Sequence, residues 1–397
     1  MKTWSQTYPL AEGAGVHVHQ HAGPVQVVGS QTPEVTVTAS CKEEIDFGEF
    51  LEIQQTGQGL VVEVKARRWS WSGTPAIRLD VTVPEGTSCS VESGSGAVEV
   101  VGTGAPVRIE TGSGDVNIAT VGHADIETGS GAVKGSQING SVSAETGSGS
   151  VDFTAVNGAL SLEVGSGAVA ARQINGDLRV DTGSGSVVVE DVGGRIELET
   201  GSGKVSVRRV HGASLTVDSG GGSVHLREID VAQLSVDGSS GGVEAELAQV
   251  YPGGTYEITT GSGGVSVALP PTADLTVRAE SPSGRVSTTG LNLRVIHEEA
   301  GEFEAVIGQG RARLTVEAGS GGVRLMALAG GSGAAPAPAS DPTLSEAGAR
   351  VVESVKDDPA LESSEQLRRI VEMVEAGKLT PQEALDLLRA LDEEEPA

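Results

Sequence analysis

The sequence is poor in several kinds of residue, and each scarcity excludes a class of protein. Aromatic residues make up 3% of the 397 residues, and Phe153 is the single one between Ala97 and Val250. The chain therefore offers few of the rings on which nucleic acids and glycans stack. Two cysteines, Cys41 and Cys89, are too few for the disulfide framework of a secreted protein. The net charge of −27 repels phosphate backbones and anionic lipids, so we expect no nucleic-acid partner.

The sequence has no long apolar run, and it has no proline in its central part. The chain has no run of about 18 consecutive apolar residues, and its N-terminus has no apolar run of signal-peptide length. We therefore expect no transmembrane segment and a cytoplasmic protein, with peripheral association with the envelope as the alternative. Proline is absent between Val107 and Tyr251 although the chain has 16. Because proline cannot donate a ladder hydrogen bond, this region can form uninterrupted strands.

Glycine is abundant, with 57 residues, and it recurs with a period. Segments such as ETGSGAV and DTGSGSV end in a valine, and these valines follow one another every 17 to 19 residues: Val98, Val116, Val133, Val151, Val169, Val187, Val205, Val224 and Val243. In one repeat Ile196 and Leu198 precede the glycine corner at 201–203, and Val205 and Val207 follow it. Each of them alternates with polar residues. Each repeat is thus predicted to form two short strands joined by a glycine corner.

Two arrangements of these strands are possible. The Asn-Gly pairs at 139–140, 157–158 and 175–176 are typical of hairpins and favour an antiparallel meander. A meander of about twenty strands would exceed the usual sheet of roughly ten and leave its apolar face uncovered. In a β-solenoid each repeat is one two-strand coil that pairs in parallel with the next, and the apolar side chains fill the interior. We favour an all-β fold, a β-solenoid of ~18-residue coils with capping ends, in which the Asn-Gly and Gly-Ser-Gly corners have positive φ.

Composition divides the chain into five predicted segments: an N-terminal β cap (1–90), regular solenoid repeats (91–268), C-terminal coils and cap (269–327), a flexible linker (328–362) and a helical hairpin (363–394). The linker is rich in Gly, Ala and Pro, and the hairpin has apolar residues at helical spacing. Two helices of about 12 residues are too short to be stable alone. We therefore expect this hairpin to bind a protein partner or a second copy of the chain through Leu367, Ile370, Val374, Leu387, Leu388 and Leu391.

Several stretches of the sequence resemble a known family. The run LDVTVPEGTSCSVESGSGAVEVVG, the serial ETGSGxV copies, ALPPTADLTVRAESPSGRVST and RARLTVEAGSGGVRL resemble the bacterial DUF4097 family of adhesin-like β-strand-repeat proteins, over roughly residues 1–327. The C-terminal EAGKLTPQEALDLLRAL is similar to the helical hairpin called SHOCT and to the SHOCT-like segment attached to such proteins. The resemblance implies a β-helical, noncatalytic bacterial protein, in some members linked to envelope stress. Its adhesin label rests on analogy of fold.

Three clusters are candidates for binding. His17, His19 and His21 alternate along one strand and could hold zinc, or simply lie on a partly exposed strand. Arg67–Gly73 carries two tryptophans that could contact a partner or close the end of a core. A row of outward acids could recruit calcium, or form a solvated row relieved by neighbouring basic residues: Glu110, Glu127, Glu145, Glu163, Asp181, Glu199 and Asp218. We expect no metal and no other cofactor.

Catalytic motifs are not visible. A carboxylate pair of the kind used by sugar-cleaving enzymes does not stand out from the repeats. The serines of the glycine corners have no recurring histidine to act as base: Ser113, Ser130, Ser148, Ser166, Ser184 and Ser202. The sequence therefore predicts a noncatalytic scaffold or interaction protein whose C-terminal hairpin mediates self-association or partner docking. The alternatives are a surface adhesin or glycan-binding module and, after it, a β-helical carbohydrate-active enzyme.

Overall fold

The computed structural model describes residues 2–57, 59–65 and 76–328. Within these ranges the chain forms 31 strands and one helix of four residues, and no described helix is long and apolar enough to cross a membrane. Three predicted features lie outside the described residues. They are the tryptophan segment Arg67–Gly73, the linker from residue 329 onward, and the C-terminal hairpin with Leu367, Ile370, Val374, Leu387, Leu388 and Leu391.

The elements follow one another along the chain in three groups. The N-terminal elements are β1 (Lys2–Pro9), β2 (Gly15–Gln20), β3 (Val25–Ser30), β4 (Glu34–Cys41), α1 (Phe47–Phe50), β5 (Leu51–Thr56), β6 (Gly59–Val64) and β7 (Arg78–Pro84). The repeats form β8 (Cys89–Ser95), β9 (Val98–Val101), β10 (Val107–Ser113), β11 (Val116–Ala119), β12 (Ala124–Ser130), β13 (Val133–Ile138), β14 (Val142–Ser148), β15 (Val151–Val156), β16 (Leu160–Ser166), β17 (Val169–Ile174), β18 (Leu178–Ser184), β19 (Val187–Val192), β20 (Ile196–Ser202), β21 (Val205–Ser219), β22 (Val224–Ser240), β23 (Val243–Leu247), β24 (Thr255–Ser262) and β25 (Val265–Leu269). The C-terminal strands are β26 (Leu275–Glu280), β27 (Val286–Thr289), β28 (Arg294–Glu299), β29 (Glu302–Ile307), β30 (Ala312–Ala318) and β31 (Val323–Ala327).

Strands of successive coils pair in parallel, one repeat apart. β18 pairs with β16 and β20, and β19 pairs with β17 and β21. Val187 therefore lies beside Val169 on one side and Val205 on the other. The predicted β-solenoid is confirmed, and the antiparallel meander is wrong for these repeats.

Alternate strands form two sheets around one core. The first sheet contains the even-numbered strands from β8 to β20, and the second contains the odd-numbered strands from β9 to β19. β21 and β22 pass from the second sheet into the first and remain paired through the corner, which joins all the strands into one folded sheet. The inward Val, Leu and Ile side chains of both sheets form a single buried cluster. Burial of these side chains is the main favourable term in folding.

The Gly-Ser-Gly corners combine a glycine with a buried hydroxyl. The second glycine has positive φ, as at Gly185 (+132°), and a Cβ there would overlap the carbonyl oxygen of Gly167 in the preceding coil. The threonine before the corner is buried, and its Oγ1 donates to the carbonyl oxygen two residues later, as Thr182 does to Ser184 at 3.4 Å. The corner thus needs glycine for the close approach of two coils, and where threonine is present its buried hydroxyl finds an acceptor within the same corner.

The Asn-Gly pairs play a different part from the predicted one. Neither Asn175 nor Gly176 has positive φ, which occurs instead two residues before the asparagine, at Gln173 (+56°). The asparagines stack: Nδ2 of Asn175 donates to Oδ1 of Asn157 at 2.9 Å, and Asn157 donates in the same way to Asn139 at 3.0 Å. A Cβ at Gly176 would overlap a backbone carbonyl oxygen of the preceding coil. The predicted positive-φ bend at these pairs is wrong, because the pairs serve the stacking of coils.

A column of left-handed residues makes the bend. These residues lie at the same place in seven consecutive coils, have φ between 52° and 59°, and are Thr120, Gln137, Ala155, Gln173, Asp191, Arg209 and Glu228. A side chain with a Cβ costs roughly 1–2 kcal/mol in this conformation. Because these seven residues are of six types and share no preference for positive φ, the sequence pattern does not reveal the column.

At both ends the spatial order of coils departs from the chain order. β2 lies between β6 and β8, and β3 lies between β7 and β9. Likewise β30 lies between β24 and β26, and β31 lies between β25 and β27. Antiparallel strands extend the ends: β4 and β1 beyond β7, β5 beyond β6, and β29 and β28 beyond β26. The predicted capping ends are confirmed, whereas the boundaries of the five predicted segments stay predictions.

Asp274 stabilises the turn between β29 and β30, at the C-terminal end of the solenoid, by accepting hydrogen bonds from the turn residues. Its Oδ1 accepts hydrogen bonds from the backbone N–H groups of Gln309 and Gly310, both at 2.7 Å, and of Arg311 at 3.2 Å. Its Oδ2 accepts from Nε of Arg311 at 2.5 Å. The Arg311 side chain, helped by the three amides, lowers the pKa of Asp274 to about 2. The carboxylate is therefore held in its charged form by the folded turn.

Replacing Ala155 by glycine should stabilise the protein. Glycine takes the left-handed conformation without the Cβ penalty, so we expect the free energy of unfolding to rise by up to about 1 kcal/mol. Ala170, which is also half-buried but lies in the extended strand β17, provides the control. There Ala→Gly should lower stability by about 0.5–1 kcal/mol. Denaturant unfolding of both variants measures the difference, and two losses of equal size would contradict the assigned strain.

Replacing Asp274 by asparagine should lower stability in a way that depends on pH. Because the folded state depresses the pKa of Asp274, its contribution is fully present above the unfolded pKa of about 4 and is lost as the pH falls through about 2. The difference in thermal midpoint between the wild type and Asp274→Asn should therefore be largest near neutral pH and shrink between pH values of about 4 and 2. A difference that does not change with pH would mean that the charge of Asp274 is not what holds the turn.

Candidate functional site

A row of carboxylates runs across the outer face of the first sheet. The parallel register places these side chains directly beside one another on consecutive coils, about 4.8 Å apart, in the order Glu92, Glu110, Glu127, Glu145, Glu163, Asp181, Glu199, Asp218 and Asp237. We call these nine residues the acidic row. Seven of them were expected from the sequence, and the structure brings all seven together. At its N-terminal end the row continues through His19 to Glu63.

A groove of about 1050 Å³ lies along the N-terminal half of the acidic row. Its wall carries the side chains of His19, Glu63, Glu92, Glu110, Glu127 and Glu145. Its floor includes the first glycine of each corner, which has no side chain to fill the space: Gly94, Gly112, Gly129 and Gly147. We call this feature the acidic groove. It offers carboxylate oxygens at regular intervals beside exposed backbone.

Two arginines neutralise part of the acidic row. Arg108 contacts Glu110 at 2.7 Å and Glu127 at 3.5 Å. The hydrogen bond that Arg108 donates to Glu110, together with the nearby carboxylates, raises the pKa of Arg108. Arg179 contacts Glu199 at 3.7 Å. The predicted relief by neighbouring basic residues is therefore present at these positions. Within residues 76–328 neither Glu145 nor Glu163, the two carboxylates between the arginines, forms an ion pair.

The three histidines of the N-terminal strand do not converge on one point. His17 and His19 face outward from β2, in register with Ser90 and Glu92, and His21 follows the end of the strand. Nδ1 of His19 lies 3.0 Å from Oε2 of Glu92. Among the described residues no group of three or more His, Cys, Asp or Glu side chains is close enough to hold a metal ion.

The corner serines form a row of their own, and in the described part of the chain no hydrogen bond joins one of them to a histidine. A different serine has such a contact, and sequence reasoning missed it. Oγ of Ser223 lies 3.0 Å from Nε2 of His225, whose Nδ1 lies 3.1 Å from Oε2 of Glu244. The signal was present in the sequence as Ser-x-His on one strand and a glutamate one coil later.

Ser223, His225 and Glu244 contact one another in the same sequence as the serine, histidine and acid of a hydrolase triad. The groups that a triad needs around it are not in place among the described residues. A triad acts with N–H groups aimed at the developing oxyanion. In these strands the N–H groups of Val224 and Val243 donate to carbonyl oxygens of the next coil. The side chain of Glu244 is 62% exposed, so it holds the histidine weakly. We interpret the three side chains as a cross-strand polar contact.

These observations define a parallel β-solenoid with an acidic face. Residues 157–326 match the family model described as Toastrack DUF4097, and residues 365–396 match the model of a SHOCT-like domain. Both resemblances predicted from the sequence are thus confirmed over these residues. No curated protein matches the chain.

Solved structures of bacterial proteins are similar to this chain at low identity. A candidate cell adhesion protein from Clostridium sporogenes is 11% identical, with 82% of this chain and 100% of that chain covered and a TM-score of 0.18. A candidate adhesin from Bacteroides fragilis is 9% identical, with 82% and 97% covered and a TM-score of 0.20. A candidate lipid binding protein from Parabacteroides distasonis is 11% identical, with 81% and 96% covered and a TM-score of 0.23.

Proposed function

We propose that the protein is a noncatalytic scaffold whose acidic groove binds a basic, extended segment of a protein partner. The observation that carries this proposal is the unbroken acidic row, in which Glu145 and Glu163 have no ion pair within the described residues 76–328. Carboxylates held on a rigid sheet need no ordering when a ligand binds, so less of the interaction energy is lost as entropy. The net charge of −27 would in addition speed the approach of a cationic partner.

The shape of the acidic groove favours an extended chain over a compact ligand. The groove runs across several strands, and its glycine floor leaves room for a backbone to lie beside the carboxylates. Lysine and arginine side chains of such a segment could each reach a carboxylate on a different coil. Among the described residues, those that line the groove include no Phe, Tyr or Trp, so sugar stacking has no support from them. The adhesin or glycan-binding alternative is therefore the weaker one.

The C-terminal hairpin is the second part of the proposal. The SHOCT-like match covers Leu367, Ile370, Val374, Leu387, Leu388 and Leu391, which are outside the described residues. We propose that these apolar side chains join two copies of the chain or dock on a partner, because helices this short need a second surface to bury them. Two linked solenoids would bind a repeated target more tightly through effective concentration. We place this scaffold in the envelope-stress context that the family resemblance implies.

Removing charge from the acidic groove should weaken binding of a basic peptide. The probe is a fluorescein-labelled decapeptide of alternating Lys and Ser. The variant combines Glu127→Gln and Glu145→Gln, which line the groove, with Glu163→Gln at the next carboxylate of the acidic row. If each carboxylate contributes about 0.5 kcal/mol, the dissociation constant measured by fluorescence anisotropy should rise about ten-fold. The control, Glu298→Gln with Glu299→Gln and Glu302→Gln, removes the same charge from exposed residues of β28 and β29. Equal weakening in both triple variants would show that net charge alone attracts the peptide.

Removing residues 343–397 should change the assembly state without affecting the solenoid. We expect the β-sheet circular dichroism and the melting transition to persist, and the mass measured by light scattering to fall to that of a monomer. In the full chain, Leu387→Asp with Leu391→Asp should have the same effect, because charges on the apolar stripe oppose its burial. If the truncated protein keeps its oligomeric state, the hairpin is not the element that joins the copies.

A further inference from the structure

Two arginines at the C-terminal end of the second sheet form no ion pair with any described residue. Arg278 pairs with Glu280 and Arg311 pairs with Asp274, but within residues 76–328 Arg285 forms no ion pair. The same holds for Arg324, and both side chains are exposed. The chain has twice as many acidic as basic residues, so most of its surface is negative. Two adjacent arginines that form no ion pair with a described carboxylate therefore create a local positive potential.

The register puts these two arginines next to each other. Val323 pairs with Val286, and its N–H donates to the carbonyl oxygen of Arg285 at 3.0 Å. Arg285 therefore precedes a buried or half-buried position on one strand, and Arg324 follows one on the neighbouring strand, so both point outward. From the strand spacing and the rise along a strand, their Cα atoms are about 8 Å apart. Two guanidinium groups can therefore reach the same small ligand.

A groove of about 550 Å³ joins the arginine pair to hydroxyl groups. Its floor contains Gly242, Gly264 and Gly322, which leave backbone uncovered. Ser266 and Ser287 flank Arg324 on the two neighbouring strands, so their hydroxyls lie on the same outward row as its guanidinium. Oγ of Ser287 already donates to the carbonyl oxygen of Val323 at 3.4 Å. The wall of the groove near Arg285 and Arg324 thus presents two guanidinium groups and the hydroxyl of Ser266 as donors.

One carboxylate also lines this groove, and it is already engaged. Glu244 accepts from His225 at the opposite end, two strands away from Arg324. The far end thus carries one exposed carboxylate, while the near end carries two guanidinium groups. Planar guanidinium groups bind phosphate oxygens through two parallel hydrogen bonds, and the hydroxyl of Ser266 adds a further donor.

We propose that the groove between Arg285 and Arg324 binds a phosphate group, either free or as a phosphate monoester. This site lies on the second sheet, away from the acidic groove of the first sheet, and its existence does not depend on the function proposed for that groove. Its two guanidinium groups match the two negative charges that a phosphate monoester carries near neutral pH.

Calorimetric titration of the full chain with inorganic phosphate and with glycerol 1-phosphate, at constant ionic strength, tests the site. The double variant Arg285→Gln with Arg324→Gln should bind at least ten-fold more weakly than the wild type. The matched control is Arg195→Gln with Arg294→Gln, which removes the same charge from two exposed arginines elsewhere and should bind as the wild type does. Tighter binding of the ester than of free phosphate would identify a phosphate-bearing molecule as the ligand, and the reverse would identify the free ion.

Two results would overturn the proposal. One is equal loss of binding in the double variant and in its control, which would mean that phosphate responds to net charge. The other is no saturable binding of either probe by the wild type. Unchanged circular dichroism and thermal midpoint of the double variant in chloride buffer would exclude misfolding as the cause of a loss. Because the probe of the acidic groove is a basic peptide, failure here leaves that proposal unaffected.

Discussion

Backbone hydrogen bonding between neighbouring coils, at a separation of about 4.8 Å, is the constraint on which the rest of this structure depends. Each strand needs its partner one repeat away in register, because a shift of one residue would turn every buried valine outward. Variation in repeat length is therefore confined to corners. The corner from Thr120 to Ala124 is one residue shorter than the corner from Asp191 to Ile196, while the strands on either side keep their pairing. A period of 17 to 19 residues is thus compatible with a continuous ladder.

The structural features that could be predicted from the sequence are those that recur from one repeat to the next. The buried alternation, the parallel register and the acidic row recur in every coil, so one repeat contains the evidence for all of them. The left-handed column could not be predicted, because Gln173 and Arg209 share no property that favours positive φ. Asn-Gly at 175–176 was misleading because the same pair suits a tight turn and a close stack of coils. The crossed coil order at the two ends and the Ser223–His225 contact occur outside the regular pattern, and periodicity says nothing about such features.

The ends of the solenoid are arranged so that their outermost strands make poor templates for pairing. β1 ends in Pro9, β27 has four residues, and β28 has a break in register between Val295 and His297. Bulges, prolines and short strands are the usual ways in which proteins protect an open edge. This protection matters at β28, because two of its apolar side chains, Val295 and Ile296, are 48% and 56% exposed. Blocked edges are consistent with a protein that associates through an appended element and not by strand addition.

A comparison of the two outer faces bears on why the acidic row exists. On the second sheet the outward positions in register are Asn117, Lys134, Asp152, Ala170 and Val188, so the fold accepts almost any residue there. On the first sheet the positions of the acidic row are acidic on nine consecutive coils. Neighbouring carboxylates at this spacing repel by about 1 kcal/mol per pair even in water. Arg108 and Arg179 offset this repulsion at Glu110, Glu127 and Glu199, and the basic segment proposed above would offset it at the carboxylates between them.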